Sequence, residues 1–116
     1  MPATSQVTIT GVKAGLPFGS ESIGPLTILN TASGDAVTDL SSLNGDNTIA
    51  VPSWAIGVII SLPAGNTTAL KLKGASGDTG VSLHLTNPSV LSLPASQTTF
   101  ILNVAGAGVA ITFMWF

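Results

Sequence analysis

The chain has 116 residues, of which 45% are hydrophobic and only 7% charged, and it contains no cysteine. That length supplies a single domain, residues 1–116, able to bury roughly 65% of its unfolded surface around one core, and it leaves no room for two. Three lysines against five acids, with no basic cluster, exclude a phosphate-tracking nucleic-acid surface, and the lack of cysteine excludes disulfides, thiolate nucleophiles and cysteine-type zinc sites.

Along the chain, residues 1–6 lack the basic and apolar regions of a secretory signal, so export by that route is not expected. They suit either an arm reaching a neighbouring subunit or a frayed terminus. Residues 6–10 (Gln6-Val7-Thr8-Ile9-Thr10) alternate apolar and polar side chains and predict a half-buried strand; residues 26–31 predict a second. In residues 35–43, Val37, Leu40 and Leu43 recur every three positions behind Asp35, which allows at most a short helical turn in a connection. Strands follow at 48–51, 54–62, 69–73, 81–85, 89–93, 98–104 and 109–116, each bounded nearby by Gly, Pro or Asn. Longer helices are excluded by punctuation: Gly and Pro total 20 residues. About eight or nine short strands at close spacing predict an all-β fold, an antiparallel β-sandwich of jelly-roll type.

Two segments, Ser61-Leu62-Pro63-Ala64 followed by Thr67-Thr68 and Ser92-Leu93-Pro94-Ala95 followed by Thr98-Thr99, repeat the same order. Each reads as a hairpin in which proline ends one strand and the threonine pair opens the next. Within 54–62, Trp54, Ile56, Val58, Ile60 and Leu62 share one large apolar face, and Ala55, Gly57, Ile59 and Ser61 share a small one. The last strand is apolar on both faces, with Ile111, Phe113 and Trp115 on one and Ala110, Thr112, Met114 and Phe116 on the other. A two-layer sandwich covers only one side of each sheet. Ala55, Gly57, Ile59, Thr112, Met114 and Phe116 are therefore the candidate surface of a homo-oligomer. Residues 104–116 are too short for a membrane-spanning helix and have no basic anchor, so no membrane partner is expected.

Chemistry is thinly represented. Glu21, Asp35, Asp39, Asp46 and Asp78 are scattered, and three of them follow glycine, the pattern of turns. No spacing resembles an EF-hand loop, so no metal is expected. His84 is the single histidine; without a Gly-x-Ser-x-Gly elbow or an orienting acid it reads as a surface residue. The glycine-rich run 73–80 lacks the Gly-Lys-Ser/Thr ending of a phosphate loop and reads as a hairpin or edge loop, with Lys71 and Lys73 protecting a sheet edge. No cofactor and no catalytic residues are expected: an enzyme is the least supported class.

The segments Val51-Pro52-Ser53-Trp54-Ala55-Ile56-Gly57-Val58, then 62–80 with Leu70-Lys71-Leu72-Lys73-Gly74-Ala75-Ser76-Gly77-Asp78, then the tail Phe113-Met114-Trp115-Phe116, resemble small all-β bacteriophage virion proteins. The resemblance covers residues 49–116. It implies a non-enzymatic structural subunit located in the virion, decorating or cementing a capsid or forming a spike or tail base, and homo-oligomeric with a trimer favoured. Its partners would be copies of itself and other virion proteins such as the major capsid protein, with no nucleic acid. The rival reading is a carbohydrate-binding module of a tail or adhesin, which requires an exposed aromatic such as Trp54. A threonine-rich ice- or surface-binding protein is a second rival, but it needs outward ranks of threonine, and both Thr-Thr pairs open strands instead.

Overall fold

The computed structural model describes residues 5–16, 19–31 and 37–116. They form β1 (Ser5–Leu16), β2 (Gly19–Asn30), β3 (Val37–Ser41), β4 (Gly45–Ala50), β5 (Gly57–Ser61), β6 (Leu70–Lys73), β7 (Val81–Ser82), β8 (Ser89–Ser92), β9 (Thr99–Val104) and β10 (Ala110–Trp115). The pairs β3·β10, β4·β9, β5·β8 and β6·β7 are nested and antiparallel, so the chain from β3 onward is one long double-stranded ribbon with its tip at the β6–β7 turn. Rolling that ribbon places β10 beside β5 and β9 beside β6. The result is two four-stranded sheets, β3-β10-β5-β8 and β4-β9-β6-β7, which is the jelly-roll sandwich that the strand spacing predicts.

Strand alternation fills the space between the sheets. Val58 and Ile60 of β5 and Ile111, Phe113 and Trp115 of β10 face Ile49, Leu70, Phe100, Leu102 and Val104 from the other sheet. Phe113 stacks on Trp115 at 5.7 Å, and Phe100 crosses from the opposite sheet to meet both rings at 6.3 and 6.2 Å. The indole Nε1 of Trp115 donates to Thr38 Oγ1, so the one polar atom of the cluster is satisfied at its margin. Where β10 begins, buried Ser42 both donates from Oγ to the Val109 carbonyl and accepts from the Val109 N–H, each at 2.8 Å, closing the entrance to the core.

Several expectations are corrected. Residues 37–41 are a strand, not a helical turn; Asp35 and Ala36 lie outside the described residues, as do residues 1–4 of the expected arm, while Ser5 and Gln6 open β1. The two Ser-Leu-Pro-Ala segments are not hairpins but arches that carry the chain from one sheet to the other, β5 to β6 and β8 to β9. They do share one local structure: Asn66 N–H donates to Pro63 O and Gln97 N–H to Pro94 O, and each side-chain amide then donates to a threonine carbonyl two residues on, Thr68 or Thr99. Regular alternation in 54–62 starts only at Gly57, because residues 52–55 form a turn closed from Ala55 N–H to Pro52 O. Ile56 is consequently 38% exposed and Ala55 buried, the reverse of the predicted faces. Nor do Lys71 and Lys73 guard an edge, since β6 is an inner strand covered by the two-residue β7.

Strands β1 and β2 form a separate antiparallel ribbon. Among the described residues its strands pair with no strand of the sandwich. The radius of gyration, 15.8 Å, exceeds the roughly 13 Å of a compact chain this long, as a projecting ribbon requires. Its register shifts opposite Gly24, whose φ of +88° and close approach to the Ile9 carbonyl admit no side chain. At its base, Asn30 Nδ2 donates to Trp54 O at 2.9 Å, tying the ribbon to the connection before β5.

Candidate assembly surface

The two outer faces of the sandwich have opposite chemistry. On β4-β9-β6-β7, Asp46 stands directly opposite Asn103, and Lys71 opposite the same Asn103 on the other side. Asn103 Nδ2 donates to Asp46 Oδ1 at 2.7 Å, and Lys73 Nζ reaches the same carboxylate at 3.1 Å and the Ser76 carbonyl at 2.7 Å. This is a charged face.

On β3-β10-β5-β8 the register aligns Val37 with Met114, Met114 with Ile59, and Ile59 with Val90. One apolar row therefore runs across all four strands, about 14 Å between its outer strands at the usual spacing. Val37 is 66%, Val90 44% and Met114 42% exposed, and Ile59 between them is half-buried. The neighbouring row is polar, with Thr112 Oγ1 donating to Asp39 at 3.0 Å. Asp39 is the one charge that β3, β5, β8 and β10 carry.

Of the six residues expected at an oligomer surface, Ile59, Thr112 and Met114 lie on this open face. Ala55, Gly57 and Phe116 do not: the chain itself buries them. The Phe116 ring lies on Gly57, and their backbones exchange hydrogen bonds at 3.0 Å in both directions. Val37 and Val90, which complete the row, were not among the expected residues, because only the cross-strand register reveals them.

The Asp46 cluster is structural. Asn103 first, then Lys73, hold its carboxyl below the usual carboxylate range. With the folded value below the unfolded one of about 3.9, the cluster's contribution is complete above that pH and is lost as pH falls through the folded value. Acidification from about pH 5 to about pH 3 is expected to lower the melting temperature more for the native chain than for Asp46→Asn. Equal slopes in calorimetry would contradict this role. Asp46 is thus a strand residue in an ion pair rather than a turn residue.

Asp78 does keep its turn role, accepting the Ala75 N–H at 2.8 Å within the glycine-rich β6–β7 loop. His84 lies beyond β7 on the surface, where its Nδ1 accepts the N–H groups of Thr86 and Asn87 at 3.1 and 2.9 Å. That acceptance makes the imidazole a turn cap. The Glu21 and Lys13 side chains lie outside the described residues.

Among the described residues, clefts open along the sides of the sandwich. One of about 290 Å³ is lined by Leu72, Lys73, Leu91, Leu93, Gln97 and Phe100; another, about 200 Å³, by Thr38, Leu40, Thr48, Ile49 and Trp115 among others. Neither brings two titratable groups together. Among the described residues no three His, Cys, Asp or Glu side chains gather as a metal set, and no helix is long and apolar enough to cross a membrane. Trp54 is half-buried against the core, and Phe100, Phe113, Trp115 and Phe116 are buried. Among the described residues, the apolar row on the outer face of β3-β10-β5-β8 is the surface best suited to contact. No family model, curated protein or solved structure matches the chain.

Proposed function

We propose that this protein is a non-enzymatic structural subunit of a bacteriophage virion that works by assembling with copies of itself, and with neighbouring virion proteins, through the outer face of β3-β10-β5-β8. The supporting observation is the sidedness of the sandwich: one outer face carries the Asp46–Lys73–Asn103 cluster, the other an apolar row open to water. An aligned row of exposed apolar side chains supports the reading of that face as a contact surface. The placement in a virion rests on the sequence resemblance of residues 49–116.

Sedimentation equilibrium tests the assembly. The native chain is expected to associate, and Met114→Lys to weaken association roughly 30-fold, the effect of losing a contact worth about 2 kcal/mol. A native chain that stays monomeric at every concentration overturns the reading; an unchanged Met114→Lys mass moves the contact off this face. Adding purified protein to phage capsids or tails and imaging them tests the virion placement, which fails if no particle binds it.

A further inference from the structure

The outer row of β3-β10-β5-β8 holds three β-branched side chains, Val37, Ile59 and Val90, and one thioether, Met114. Met114 is 42% exposed and stands between Val37 and Ile59, in register with both. Among the described residues it carries the one sulfur: the chain has no cysteine, and its other methionine, Met1, lies outside them. Because β10 is an inner strand, paired with β3 on one side and β5 on the other, a fixed backbone presents the thioether rather than a loop. Solvent reaches it without any opening of the fold. Its chain neighbours Phe113 and Trp115 point the opposite way and are buried, so a change at the sulfur does not reach the core.

We infer that Met114 is an oxidation site, and that its reaction with a peroxide weakens assembly without unfolding the subunit. The inference rests on the assembly reading and names a means of regulating that same face. The sulfur attacks one oxygen of the peroxide: an S–O bond forms, the O–O bond breaks, and the departing hydroxide takes the proton left on the new S–OH group. The thioether is thereby oxidised to the sulfoxide and the peroxide reduced to water. The product carries a strong acceptor oxygen where the row was apolar. The side chains directly across from it, Val37 and Ile59, offer no donor, and in the adjacent row the Thr112 hydroxyl already donates to Asp39. In the free subunit water satisfies the new oxygen, so the fold is kept. In an assembled face that water is stripped away and no side chain of the row replaces it, the costly arrangement for a polar group. The assembled face, closed to solvent, in turn shields the sulfur from oxidant.

Full-length native protein and Met114→Leu are treated with hydrogen peroxide at a protein concentration low enough to keep subunits free. Each is then compared with its untreated form by peptide mass mapping, thermal unfolding and sedimentation equilibrium. Mapping is expected to place one added oxygen atom on Met114, with the unfolding transition retained. The dissociation constant of the native protein is expected to rise roughly tenfold, the effect of one polar group left without a partner. Met114→Leu, whatever its own affinity, is expected to associate equally before and after treatment, which separates Met114 from Met1. A Met114 peptide that gains no oxygen, a sulfoxide form that associates as tightly as the untreated chain or loses its fold, or a Met114→Leu chain weakened to the same extent overturns this inference and leaves the assembly reading standing. A native chain that does not associate at all overturns both.

Discussion

Replacing Phe113 by alanine is expected to cost about 3–5 kcal/mol of folding stability, a large part of the 5–15 kcal/mol of a domain this size. Phe113 is 1% exposed and sits where the two sheets meet, stacked on Trp115 and met edge-on by Phe100. Removing the ring opens a cavity walled by two other aromatic rings that belong to strands paired on both sides, β9 and β10, so the walls cannot close in. The adjacent Met114 points the other way and is 42% exposed. Met114→Ala is expected to cost under about 1 kcal/mol in the monomer. Urea unfolding of the two variants, at concentrations too low for association, reads the difference as a shift in midpoint at constant slope. Equal losses would mean that the two faces of β10 are not one core face and one open face.

That division of β10 was legible in the sequence, because alternation needs only local order. The same logic located nine of the ten strands and the jelly-roll class. It missed β3 for a physical reason: Thr38 occupies an inward position, where its hydroxyl meets the Trp115 indole, and a polar inward residue erases the apolar alternation. The remaining apolar positions, Val37, Leu40 and Leu43, then imitate a helical spacing. Ile59 and Met114 were readable as outward-facing, but their alignment with Val37 and Val90 is fixed by pairings between strands distant in sequence. No local pattern encodes that register. The arches following β5 and β8 show the same limit, since Ser-Leu-Pro-Ala fixes the turn and not the sheet to which the chain returns. Ala55 and Phe116 mark where parity ceases to apply: one precedes β5 inside a turn, and the other follows β10 and folds down on Gly57.

That last contact carries a coupled prediction. Gly57→Ala is expected to destabilise the domain by about 1–3 kcal/mol, the range for inserting a methyl group into a packed site. A Cβ at Gly57 would run into the Phe116 ring and would stand 2.7 Å from the Leu91 carbonyl oxygen. The ring can swing away only by leaving a site in which it is 1% exposed, and the carbonyl belongs to the paired strand β8. Phe116→Ala by itself is expected to cost about 3 kcal/mol through lost burial and the cavity left behind. The double variant should then cost less than the sum, by about 0.5–2 kcal/mol, because removing the ring frees one of the two directions in which the new methyl group conflicts. The conflict with Leu91 remains, so full compensation is not expected. The backbone hydrogen bonds between Gly57 and Phe116 survive both substitutions and keep the end of the chain in register. A double-mutant cycle by chemical denaturation measures the coupling; strict additivity would show that the Phe116 ring is not seated on Gly57, and would return Phe116 to the surface available for assembly.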